Sequence, residues 1–146
     1  MKHINPENVV EPQGLYSHIV KVSAGTELLF ISGQLGIKPD GSTPPTIEGQ
    51  ADQVFKNIVT LIESQNLVVE NIVKLTTFIV AGQDGQAVRK ARIKYLGSHR
   101  PASTAVYVAH LVDPAWFVEV EAIVSGGNDS FEVFSFAFIP RKLEVE

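Results

Sequence analysis

The chain has no cysteine, and only one methionine and one tryptophan, among its 146 residues. Without thiols it can build neither a disulfide framework nor a thiolate metal site, and the expected setting is a reducing, cytoplasmic one. Charge is scarce as well. Asp, Glu, Lys and Arg make up 19% of the chain, against about 25% in an ordinary soluble domain. Its 12 basic and 16 acidic residues give a formal net charge of −4. With no basic cluster, a nucleic-acid partner is not expected, because phosphate contacts need Lys and Arg. No apolar run approaches the roughly 18 residues of a membrane span. The start, MKHINPENVV, has a proline at position 6 and no apolar signal core, so neither a membrane nor a secretory route is expected.

What the chain does have is apolar residues, at 45%. Its length suits one domain, which buries roughly 68% of the surface of its unfolded chain, enough for a core without staples. Many apolar and few charged residues leave two readings. Either Ser, Thr, Asn and Gln cover an ordinary surface, or some apolar surface is hidden against another copy of the chain.

Gly and Pro divide the sequence into units. Residues 14–22, GLYSHIVKV, and 27–33, ELLFISG, read as a β-hairpin joined by a turn at Gly25. A Pro- and Gly-rich loop from Lys38 to Pro45 leads into a segment of different period. From Ile47 to Asn66, the residues Ile47, Ala51, Val54, Phe55, Ile58, Leu61 and Ile62 recur at spacings of three and four, one face of a helix. Ile72–Val80 reads as a β-branched strand. AGQDG turns the chain, and Ala87–Leu96 forms a second helix with Val88, Ala91 and Tyr95 inward and Gly97 at its end. Strands follow at Ser103–Leu111 and Phe117–Val124, separated by the Asp113-Pro114 turn. The class is α+β, with residues 1–124 as its body and 125–146 as an extension of the same domain. In that extension FEVFSFAFI, 131–139, is apolar on both strand faces. Such a strand is buried on both sides, within its own sheet or beneath a neighbouring subunit.

Few residues carry chemistry. His3, His18, His99 and His110 have no metal-ligand spacing, and there is neither a GxSxG elbow nor a P-loop lysine. No metal or cofactor is expected. Ser32-Gly33-Gln34 and Ser125-Gly126-Gly127 are ordinary turns or small-residue ligand cradles. The strand FVEVEAIV is more informative. Val118, Val120, Ala122 and Val124 form a small apolar face, and Phe117, Glu119, Glu121 and Ile123 the other. The two carboxylates stand about 7 Å apart by strand rise. On a wet face they are solvent-side glutamates. Covered, at least one is partly desolvated, a setting that suits general acid–base work.

GLYSHIVKV, LLFISGQLGI, QADQVFKNIVTLIE, NIVKLTTFIV, HRPASTAVYVAHL and FVEVEAIV together, in order from about residue 12 to residue 124, resemble the RidA (YjgF) family of reactive-intermediate deaminases. The resemblance implies a chorismate-mutase-like mixed sheet with two helices packed on one face, to which 131–139 adds an extra C-terminal strand. It implies a homotrimer with a small-molecule ligand in each intersubunit cleft. It also implies hydrolysis of imines and enamines such as 2-iminobutyrate and 2-aminoacrylate to 2-keto acids and ammonia, without a cofactor. By position Glu119 would orient the water, Tyr16 would stand at the cleft rim, and the backbone of Ser32 and Gly33 would line the pocket.

One departure matters. Deaminase members carry a carboxylate-clamping arginine where this chain has Ser103. A single neutral hydroxyl cannot replace a charged fork, a loss of more than about tenfold in affinity. The backbone N–H of Ala105 would survive, and Arg89 stands where many members have asparagine. Three readings follow. Arg100 or Arg89 supplies a relocated clamp in a true deaminase. Alternatively, Glu119 and water act on a neutral or differently charged substrate rather than the standard 2-imino acid, the reading that the retained glutamate favours. Otherwise the protein is a non-enzymatic trimer that binds a metabolite or a protein. His99-Arg100 is itself either an anion grip or an exposed basic loop. The ribonuclease label also attached to the family finds no support in the charge or in the histidine spacing.

Overall fold

The strand with the clearest alternation becomes a central strand of the sheet. The structure, a computed structural model, describes residues 1–126; the expected strand at 131–139 lies outside them. Along the chain come β1 (Lys2–Ile4), β2 (Ile19–Lys21), β3 (Leu28–Leu35), α1 (Ile47–Ser64), β4 (Ile72–Val80), α2 (Gly85–Leu96), β5 (Ala102–Val108) and β6 (Val118–Ser125). The main sheet has the order β3-β6-β4-β5, and β1 and β2 form a separate pair. β6 runs antiparallel to both its neighbours, while β4 and β5 are parallel and joined through α2, since parallel strands need a crossover. The architecture is α+β, as expected.

Alternation sets the layers. Val118, Val120, Ala122 and Val124 of β6, with Ile72, Leu75 and Ile79 of β4, are buried under the helices. Burying each of the Val, Ile and Leu side chains contributes about 1.5–3 kcal/mol. α1 supplies Ala51, Val54, Phe55, Ile58 and Ile62 to this core and α2 supplies Val88, Ala91 and Leu96. Both helices start on side-chain caps: Thr46 accepts from the Gly49 N–H and Asp84 from the Gln86 N–H. α1 stops at Ser64, two residues short of the expected end, because Asn66 adopts a left-handed φ of 57°. Leu61, assigned to the inner stripe, lies at its margin and is exposed. Gln50 is buried in that stripe instead. Its amide donates to the Pro44 and Ala115 carbonyls and accepts from the Phe117 N–H, tying the loop before β6 to the helix.

The expected 14–22/27–33 hairpin does not form. The Gly25 turn exists, with φ +80° and the Thr26 N–H donating to the Ser23 carbonyl, but it passes the chain between two sheets. β2 pairs antiparallel with β1, Lys2 opposite Lys21 and Ile4 opposite Ile19. Residues 14–18 are held by other contacts: Ser17 N–H to the Pro101 carbonyl, and His18 N–H to Asn5 Oδ1 at 2.7 Å. His3 Nδ1 and Ser17 Oγ both donate to the Arg100 carbonyl, at 3.0 and 2.6 Å. The N-terminus thus takes the ladder bonds that a hairpin would have used. Among the described residues no helix is long and apolar enough to cross a membrane.

His99, beside this junction, donates through Nε2–H to the Ile72 carbonyl at 2.8 Å and meets the edge of the His3 ring. Burial, with smaller contributions from His3 and Arg92, holds its pKa below the ordinary 6.5; the Ile72 bond and Glu70 act the other way. The folded state therefore prefers neutral His99, and the unfolded chain takes up the proton first. Stability is fully present above about 6.5 and falls as the pH drops from there toward the lower folded value. Calorimetry from pH 7.5 to 5.5 should show a falling midpoint, and His99→Gln, which keeps a donor, should remove the His99 part of that fall. An unchanged pH profile in the variant would refute the assignment.

Candidate active site

Glu119 stands near the start of β6, opposite Leu35 of β3 and Phe78 of β4. It points away from the helices, since Val118 and Val120 on either side of it point toward them. The β3–β6 ladder slips between Ile31 and Gln34, and Ser32 and Gly33 occupy that irregularity. Gln34 Nε2 donates back to the Ser32 carbonyl at 3.0 Å and steadies the bend. The Glu119 carboxylate lies directly over Gly33: a Cβ placed there would come within 2.9 Å of Glu119 Cδ and closer still to Oε1. Glu119, Gly33 and the neighbouring Ser32 thus form one group, on the helix-free face.

The other site residues gather on the opposite face. A cleft of about 430 Å³ is lined by Tyr16 from the loop before β2, Arg89 and Arg92 from α2, and Ser103, Ala105 and Tyr107 from β5. Register explains its side of the sheet. Ser103 pairs with Leu75 and Ala105 with Thr77, both buried beneath the helices. Tyr16 is fixed by its hydroxyl, which accepts from the Gln13 N–H at 3.1 Å, and by edge contact with the His18 ring. Arg100 does not line this cleft. It is exposed, with Nη1 donating to the Gly14 carbonyl at 3.0 Å. The Arg89 side chain lines the cleft while remaining exposed to solvent.

Arg92 was missed by the sequence reading. Its Nη2 donates to Ser103 Oγ at 3.1 Å and to the Leu15 carbonyl. Its Nε is shielded from solvent and has no acceptor among the described residues. Burial, then the charges of Arg89 and Arg100, lower its pKa to about 10, which still leaves it cationic at neutral pH. A signal was present: Arg92 is four residues after Val88 and four before Leu96, a cation within the inward stripe of α2.

A second cavity, of about 340 Å³, opens between β3 and the end of α1 and is lined by Leu29, Leu61 and Leu67 among others, with no ionisable side chain. Among the described residues no three His, Asp or Glu side chains are grouped so as to hold a metal ion.

The sheet order, the two covering helices and this pair of residue groups define the class. Residues 6–125 match the family model described as endoribonuclease L-PSP, and the chain belongs to that family, which includes RidA, YjgF and RutC proteins. The protein HMF1 of Saccharomyces cerevisiae is 33% identical over 114 residues, 75% of this chain and 83% of that one. A 2-iminobutanoate/2-iminopropanoate deaminase of Dermatophagoides farinae is 30% identical over 116 residues, 78% and 88% of the respective chains. The crystal structure of YyfB from Yersinia pestis, a Rid-family protein of unknown function, shares the fold with a TM-score of 0.75 at 24% identity, over 85% of this chain and 97% of that one.

Proposed function

We propose that the protein is a cofactor-independent hydrolase of a small imine or enamine other than the standard 2-imino acid, acting in a cleft completed between the subunits of a homotrimer. The observation that carries this reading is the seating of the Glu119 carboxylate on Gly33, where the missing side chain lets a base lie against the backbone of the β3 bend, held in place on the helix-free face. Glu119 and the Arg92 cleft face opposite sides of one sheet, so a second copy is needed to bring the two groups together. The helix-free face has apolar surface for such a contact, with Phe30 73% and Val106 41% exposed. The deaminase from Dermatophagoides farinae supports the choice of chemistry.

The reaction asks little of the protein. An enamine becomes its imine by protonation at carbon and loss of a proton from nitrogen. Glu119 accepts a proton from water as the oxygen attacks the C=N carbon, and returns it to nitrogen. Glu119 then takes the proton of the new hydroxyl and passes it to the amino group as the C–N bond breaks, giving ketone and ammonia. A positioned base of this kind contributes about 100- to 10,000-fold. Imines generated from amines by an amine oxidase, and from neutral and acidic amino acids by amino-acid oxidases, provide the assay, with 2-iminobutyrate as the standard substrate for comparison. Wild type should accelerate hydrolysis of at least one of them, and Glu119→Gln should lose about 100-fold or more. Wild type inert toward all of them would favour the metabolite-binding alternative, and a monomer by light scattering would remove the shared cleft.

A further inference from the structure

Two guanidinium groups, Arg89 and Arg92, line the cleft, and a third, Arg100, lies outside it but near enough for its charge to act on Arg92. Arg89 and Arg92 are three residues apart on α2 and so are neighbours on its surface, where like charges repel. No Asp or Glu lines the cleft. Lys94–Asp52 accounts for the ion pairing among the described residues, so none of the three arginines has a carboxylate partner there. A half-buried cation held without a counter-charge costs stability unless something anionic arrives.

The geometry of Arg92 is that of a prepared donor rather than a structural strut. Its Nη2 is tethered on two sides by Leu15 and Ser103, which fixes the guanidinium plane. Nη1 has no acceptor among the described residues and, unlike Nε, is not shielded from solvent. Ser103, too short to hold an anion alone, serves here as the seat of an arginine that comes from the helix. Arg89 adds a second fork on the same wall of a cleft whose roughly 430 Å³ exceeds the needs of a four-carbon acid.

We infer that Arg92, seated on Ser103, is the anion-binding residue of this cleft, and that Arg89 beside it sets a preference for a small dianion, a dicarboxylate, over a monocarboxylate. This rests on the cleft being the ligand site of the function proposed above, and it specifies the differently charged substrate which that reading left open. Two charge-assisted contacts instead of one should separate the two ligand classes by about tenfold or more.

Titration calorimetry of the full-length protein at low ionic strength, with the stable keto acids 2-oxobutyrate and 2-oxoglutarate, tests it without turnover. The dianion should bind at least about tenfold more tightly. Arg89→Gln, at an exposed position that leaves the fold intact, should abolish that advantage while sparing 2-oxobutyrate. Arg92→Gln should weaken both, and Arg92→Lys should recover only part, since an ammonium lacks the planar fork. Equal affinities in wild type, or an Arg89→Gln protein that keeps the preference, would overturn the inference. Binding that follows this pattern in a protein inert toward every imine would sink the hydrolase reading and leave the anion site. Hydrolysis of imines with monoanion and dianion bound equally would do the reverse.

Discussion

Gly36→Val is expected to cost about 3 kcal/mol or more of folding stability, the upper part of the range for overpacking. Gly36 is buried just after β3, and a Cβ there would lie 2.6 Å from both Cα and the carbonyl oxygen of Gln50 in α1. Those are backbone atoms of a helix interior and cannot swing aside. Nor can the strand end retreat, because Asn57 Nδ2 donates to the Leu35 and Ile37 carbonyls on either side, at 3.0 and 2.9 Å. Asn57 is itself fixed by Gln53 Nε2 at 2.8 Å. Any shift of α1 would also strain the Gln50 bonds to the loop before β6. Urea denaturation should therefore show a large drop in midpoint or a protein that does not fold. A loss below 0.5 kcal/mol, roughly what a surface substitution costs, would mean that helix and strand are not held this closely.

This close approach shows which parts of the molecule the sequence makes legible. Helix and strand periodicity depends on residues near one another in the chain, so α1, β4, α2 and β6 appear within one or two residues of their expected bounds. The inward face of β6 is the one that alternation assigns. β1 has three residues, too short for any period, and its pairing with β2 depends on side chains such as His3 and Ser17 meeting the Arg100 carbonyl from distant parts of the chain. The site divides in the same way. Glu119 and Glu121 stand out locally as carboxylates in an apolar strand, the family resemblance singling out the first, and Gly33 as a small-residue turn. That the two touch follows from an irregular ladder, which no spacing announces. The sequence offers Arg89 and Arg100 as cleft arginines, and Arg89 does line the cleft. Arg100, in the loop before β5, bonds the Gly14 carbonyl instead, while the stripe of α2 carries Arg92 under the helix to the oxygen of Ser103.

Gly33→Ala should separate the seating of Glu119 from the integrity of the fold. The backbone of Gly33 is outside the left-handed region, since glycines with positive φ are Gly25, Gly41, Gly82 and Gly97, so alanine is conformationally allowed. The added methyl would meet the end of the Glu119 side chain, 2.9 Å from Cδ. Unlike the helix backbone at Gly36, this group can yield by rotating. The melting temperature should then change little, while the carboxylate moves by about 1 Å. Under the hydrolysis proposed above, a displacement of that size lowers kcat by about 100-fold. Because both substitutions act on one group, adding Gly33→Ala to Glu119→Gln should cause little further loss, a non-additivity expected of residues that act together. Binding of 2-oxoglutarate at the arginine cleft should persist in Gly33→Ala, since neither Arg89 nor Arg92 is disturbed. A variant with wild-type kcat would show that the position of Glu119 over Gly33 is not what places the attacking water. A variant that melts far below wild type would show instead that the bend of β3 depends on glycine for its own sake.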